Sequence, residues 1–159
     1  MTQVPTITLN NKVVIPQLGF GVFQITPDDT RQATLDALEV GYRHIDTAEM
    51  YGNEKQVGDA VAASGLARSE VFVTSKLNNG FHARDAALRA FDGTLDALGF
   101  DYLDLFLIHW PLPSIGDFVE TWKAMRVNFF LLLYLELEYA LCLNLYHFQM
   151  NHIHLLQKQ

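Results

Sequence analysis

The stretch "GYRHIDTAEMYGNEKQVGDAVAASG", residues 41–65, decides the architecture. It leaves one helix at Gly41 and passes through an apolar run within Tyr42–Ala48 that reads as a strand. It then crosses a short polar loop and enters a second helix, with Asn53 at the N-cap and Gly65 at the stop. A strand that feeds a helix through a few residues is one unit of a parallel α/β fold. Inside the unit, "HIDTAEMYGNE" (44–54) places a His, an Asp, a Tyr and two Glu directly behind the apolar run.

The same alternation extends in both directions. Upstream, "TPDDTRQATLDALEVG" (26–41) predicts a helix, with Thr26 as N-cap, Pro27 at its first position, acids in the first turn and Gly41 at the end. Before it, "LGFGVF" (18–23) reads as a strand whose glycines admit close approach of a ligand or another chain. At the start, "TITLNNKVVIP" (6–16) predicts a small hairpin that turns on Asn10 and Asn11, residues tolerant of positive φ. Downstream, "VFVTSK" (71–76) is a strand, and residues 83–98 form a helix closing on Gly99. "YLDLFLIHW" (102–110) is a fourth strand, and "DFVETWKAM" opens a fourth helix. Gly93 inside the third helix costs about 1 kcal/mol relative to Ala. Strands nearly continuous in apolar residues imply a parallel sheet covered on both faces. Both doubly wound sheets and (β/α) barrels satisfy this pattern.

Composition bounds the function. With 159 residues, 50% of them hydrophobic and 18% charged, the chain suits one globular domain. A net charge of −7 argues against a nucleic-acid surface, which needs clustered Lys and Arg. The start "MTQVPTITLN" has neither a basic nor an apolar signal region, and Cys142 is the lone cysteine. A reducing, cytoplasmic setting without disulfides is therefore expected.

Four polar residues stand at the C-terminal ends of the predicted strands or just beyond: Asp46, Tyr51, Lys76 and His109. Parallel α/β folds bind their ligands at that edge. The set is chemically coherent. A free Tyr has a pKa of about 10 and is a poor acid unless its phenolate is stabilised, which a neighbouring Lys ammonium does. An Asp holds that Lys in place, and a His donates to a carbonyl oxygen and orients it. Such a group protonates a carbonyl oxygen as hydride reaches its carbon. Since no side chain supplies hydride, a nicotinamide cofactor is implied.

"GFGVFQ", "GYRHIDTAEMYGNE", "VFVTSKL" and "LDLFLIHWP" together resemble the aldo-keto reductases, particularly the bacterial 2,5-diketo-gluconate reductase group, over residues 4–126. The resemblance implies a (β/α)8 TIM-type barrel closed at its bottom by the N-terminal hairpin, of which this chain carries about four βα units. It implies a catalytic tetrad of Asp46, Tyr51, Lys76 and His109, with NADPH as cofactor and a small-molecule carbonyl as substrate. Gly21, Val22 and Phe23, with Asp46, match the cofactor-facing positions, and His109 and Trp110 the substrate-facing ones. By contrast, Asn53 and Glu54 are accounted for by helix capping, and Arg43 and Glu49 as solvated or structural residues.

After "WKAMR" the resemblance stops. The family would continue with four more strand–helix units, which carry the residues that hold the carboxamide and grip the adenosine phosphates, so these residues alone are expected to bind NADPH weakly. The chain accordingly divides into a half barrel at 1–127 and an apolar tail at 128–159. From Phe129 to Met150 the tail is long enough to span a bilayer, with Glu136 and Glu138 as its only charged residues. Each apolar side chain gains about 0.3 to 0.6 kcal/mol in a membrane while a central acid costs about 3, so no span is expected. Leu135–Leu145 alternates like a strand, whereas its leucine content favours a helix. His147, His152 and His154 have no acid or thiol spaced to complete a ligand set, so no metal is expected. The alternative to catalysis is a half barrel that associates with itself or a partner through its open strand edges.

Overall fold

The structure is a computed structural model that describes residues 4–114 and 118–130, with side chains through Arg126. A two-stranded antiparallel hairpin, β1 (Thr6–Thr8) and β2 (Val14–Pro16), precedes a four-stranded parallel sheet. Its strands are β3 (Phe20–Gly21), β4 (His44–Asp46), β5 (Phe72–Leu77) and β6 (Leu105–Ile108). Helices α1 (Pro27–Glu39), α2 (Glu54–Ala63) and α3 (Arg84–Leu98) connect successive strands, and α4 (Phe118–Phe130) follows β6. The predicted tail, 128–159, falls outside the described residues beyond the last turn of α4, and so do its membrane, strand-or-helix and histidine readings. Among the described residues no helix is long and apolar enough to cross a membrane.

Strand order decides between the two architectures that the alternation permits. The sheet runs β3-β4-β5-β6, each strand beside its predecessor. A doubly wound sheet reverses its order at a switch point, whereas a barrel adds each strand to the same side. The order seen is that of a barrel segment.

Local chemistry sets the helix ends. Thr26 Oγ1 accepts from the Asp29 N–H at 3.3 Å and donates to the Asp29 carboxylate at 2.7 Å, so the first turn of α1 is capped as predicted. Gly41 and Gly99 follow their helices with φ of +107° and +68°, left-handed positions that a Cβ disfavours. Arg43 donates to the Leu38 and Tyr42 carbonyls and closes the end of α1, a structural role. In the hairpin the positive φ falls on Lys12 (+69°), not on Asn10 or Asn11. Lys12 N–H closes the turn on the Leu9 carbonyl, and Asn11 Oδ1 takes up the Val13 N–H.

The core lies between the sheet and its helices. Ile45, Val73, Leu77 and Phe106 pack there with Val57 and Val61 of α2, Leu38 of α1 and Leu98 of α3. Successive strand residues alternate faces. With Ile45 and Leu77 turned towards the helices, Asp46 and Lys76 project from the opposite face. Register partners share a face, so the pairings Gly21 with Asp46 and Lys76 with Leu107 bring Gly21 and, two residues beyond Leu107, His109 to that same side. Period and register together collect the polar strand-end residues on one face.

Candidate active site

Lys76 is the centre of the site. Its ammonium donates to Asp46 Oδ1 at 2.6 Å, to the Thr47 carbonyl at 2.9 Å and to the Tyr51 hydroxyl at 3.3 Å, which uses all three of its donors. Tyr51 ends a short 3₁₀ turn, Glu49–Tyr51, that carries it back over the end of β5. Its ring meets His109 edge-on, with centroids 5.6 Å apart and planes at 77°. The four residues predicted to converge are therefore linked in series, Asp46 to Lys76, Lys76 to Tyr51 and Tyr51 to His109.

His109 follows β6, and its N–H bonds to the Leu77 carbonyl. Burial lowers its pKa, and the Lys76 ammonium lowers it further against the opposing pull of Asp46, so the imidazole is neutral at pH 7. Its Nδ1 is buried without a hydrogen-bond partner. Trp110 stacks parallel to the His109 ring and is 47% exposed, while Phe23 leans against Tyr51 and is 62% exposed. Both present apolar rings beside the tetrad.

The residues predicted beside a cofactor divide. Gly21 stands level with Asp46, and the space where its side chain would be is open. Phe23 is exposed beside it. Val22 is not presented to the site: its side chain is wholly buried, its N–H bonds to the Asp46 carbonyl and its own carbonyl accepts from Asn53. It anchors the segment from the core side.

Asn53 and Glu54 differ from the capping role expected of them. Asn53 occupies the N-cap position of α2, yet its side chain caps nothing. It is fully buried and bonds to Val22 just after β3, Thr47 just after β4 and Thr30 of α1. Glu54 is buried too and accepts from Ser75 Oγ at 2.5 Å. Burial raises its pKa against the opposing hydrogen bond from Ser75. Burial also raises that of Glu49, which is only partly enclosed. No local pattern marks these partners, since Ser75 is 21 residues away and Val22 is 31.

Comparison with known proteins agrees with this geometry. The sequence profile of the aldo/keto reductase family matches residues 17–127. An aldo-keto reductase of Mycobacterium sp. (strain KMS) is 53% identical over 120 residues, covering 76% of this chain and 44% of that protein. The crystal structure of an aldo/keto reductase from Brucella melitensis shares 51% identity at a TM-score of 0.77, covering 80% of this chain and 48% of that one. A Bombyx mori aldo-keto reductase, solved in complex with NADP, shares 42% identity at a TM-score of 0.73, covering 80% and 47%. The chain thus spans less than half the length of these relatives, and its parallel sheet with flanking helices is part of their (β/α)8 barrel. On profile, identity and fold together, the chain belongs to the aldo/keto reductase family.

Proposed function

We propose that this half barrel carries the proton-transfer side of an NADPH-dependent reduction of an aldehyde or ketone to an alcohol. One observation carries the reading: a single ammonium, on Lys76, lies within hydrogen-bonding distance of both the Asp46 carboxylate and the Tyr51 hydroxyl. Bound NADPH supplies the hydride. Gly21, Phe23 and Asp46 suit its nicotinamide end, because the open space over Gly21 admits a flat ring beside a carboxylate.

The chain's own residues manage the oxygen. Tyr51 donates its proton to the substrate oxygen as negative charge develops there. The Lys76 ammonium faces the phenolate oxygen so formed, and Asp46 balances the ammonium, so the charge moves within a prearranged set of groups. Neutral His109, on the other side of the Tyr51 ring, orients the carbonyl through a hydrogen bond. Trp110 and Phe23 give the substrate an apolar wall, which keeps water from competing for those donors. The lone cysteine makes the reducing cytoplasm the setting proposed with this activity.

The test is carbonyl-dependent oxidation of NADPH, assayed with aldehydes, ketones and sugar-derived dicarbonyls. Tyr51→Phe is expected to lower turnover by about 10²- to 10⁴-fold with little change in melting temperature, since it removes only the acid. No carbonyl-dependent oxidation by the parent chain would overturn the catalytic reading for this chain. A second reading then takes its place, favoured by the two end strands β3 and β6 of the described sheet. It is a non-catalytic half barrel that associates with itself or a partner through those edges. Size-exclusion chromatography separates the two, because the second requires association without turnover.

A further inference from the structure

We propose that Asn53 is the positioning residue of the site: its buried amide holds Thr47, and through the Thr47 carbonyl it places the Lys76 ammonium against Tyr51. The observations form a continuous chain. Asn53 Oδ1 accepts from the Thr47 hydroxyl at 3.0 Å. Asn53 Nδ2 donates to the Val22 carbonyl at 3.0 Å and to Thr30 Oγ1 at 3.2 Å, with the Ile25 carbonyl at 3.3 Å sharing those hydrogens. Asn53, Thr47, Val22 and Thr30 have no exposed surface. One side chain therefore joins the ends of β3 and β4 to the starts of α1 and α2.

The consequence for Lys76 follows from its acceptors. Two of its three hydrogen bonds go to residues 46 and 47, the segment that Asn53 fixes, and the third goes to Tyr51, two residues before Asn53 in the same loop. Without the amide, the Thr47 hydroxyl is left buried and unpaired and the Val22 carbonyl keeps only the Ile25 N–H, so the segment must shift to find partners or water. A displacement of about 1 Å at a reacting group costs up to about 100-fold in rate. The residue has given up the capping that its position offers in order to make these contacts, which supports a role beyond holding the helix. Only the catalytic consequence rests on the function proposed above; the placement of Lys76 is measurable without turnover.

The experiment is competitive labelling of lysines in the folded chain with trace acetic anhydride, read by mass spectrometry as the ratio of Lys76 to Lys55. The Lys55 side chain is 69% exposed, whereas that of Lys76 is 14% exposed and fully engaged. Asn53→Ala and Thr47→Val are expected to raise the ratio severalfold, while Thr47→Ser, which keeps the hydroxyl, restores the parent value. Val71→Ala, a core truncation just before the start of β5, provides a destabilised control, with denaturant set so that variants are compared at equal unfolding free energy. An equal rise in Val71→Ala, or no rise in Asn53→Ala, would show that Asn53 merely stabilises the fold. Should Asn53→Ala not fold, the Thr47→Val and Thr47→Ser pair decides the matter in the same way. In the turnover assay Asn53→Ala should lower kcat/KM by about 10- to 100-fold. A parent chain without turnover overturns the catalytic reading, and the labelling ratio still decides the role of Asn53.

Discussion

The Lys76 ammonium and the Asp46 carboxylate lie 2.6 Å apart on one face of the sheet, and the Tyr51 hydroxyl completes the group at 3.3 Å from the same ammonium. If, as proposed, these three residues act on one proton, they should not lose activity independently. Lys76→Met is expected to reduce turnover by about 10²- to 10⁴-fold, as Tyr51→Phe does. Once either group is gone the other has little left to contribute, so the double variant should be scarcely worse than the worse single one. Steady-state kinetics of the two single variants and the double variant provide the check, and additive losses would show that the residues work separately.

Gly58 and Gly93 should respond to alanine with opposite signs. A Cβ on Gly58 would lie 1.9 Å from the Leu98 carbonyl oxygen, so α2 and α3 would have to part. Gly58→Ala is expected to cost about 3 kcal/mol by overpacking. Gly93 is exposed on α3, and a Cβ there meets nothing within 4 Å. Gly93→Ala should therefore add about 1 kcal/mol through helix propensity. Urea denaturation of the two variants measures both.

Glu54 links stability to pH. Burial raises its folded-state pKa above the ordinary value of 4.5, so the folded chain favours the protonated carboxyl. That contribution is fully present below pH 4.5 and is lost as pH rises through the folded-state value. Glu54→Gln keeps an acceptor for Ser75 and carries no charge. Its melting temperature, measured against that of the parent, should gain as pH increases from 4.5 through the folded-state value and level off beyond it. A constant difference across that range would refute the linkage.

His44 acts in the other direction. Its Nδ1 is 3.3 Å from the Pro16 carbonyl and its Nε2 is 3.0 Å from Thr74 Oγ1. A carbonyl only accepts, so the proton is assigned to Nδ1, and Nε2 receives the Thr74 hydroxyl. Burial lowers the His44 pKa below 6.5, outweighing the opposing Pro16 hydrogen bond and the Asp46 charge. The stability of the neutral form is present above pH 6.5 and is lost as pH falls through the folded-state value. His44→Gln should remove that part of the acid sensitivity, which melting temperatures across this range would register.

Much of this protein was legible as sequence because the signals are local. Thr26 with Pro27 starts α1, Gly41 and Gly99 end helices, and an apolar run followed by a polar residue marks the ends of β4 and β5. Each signal arises within one turn of helix or one short strand, where backbone sterics and hydrogen bonding act over a few residues. The order of Asp46, Tyr51, Lys76 and His109 along three of the motifs could therefore be read from the chain.

Tertiary structure alone decided what joins those motifs. Alternating strands and helices suit a doubly wound sheet as well as a barrel, and only the pairing of each strand with its predecessor separates them. The capping signal at Asn53 and Glu54 was sound as local chemistry, yet Glu54 turned to Ser75 and Asn53 to Val22 and Thr30, all more than twenty residues away, as well as to the nearby Thr47. Burial is the physical reason. An amide or carboxylate at an exposed helix start takes the nearest N–H, but once enclosed it must satisfy every donor and acceptor around it. Which groups those are depends on the packing of β3, β4, β5 and α1 around α2, and no local stretch of the chain encodes that.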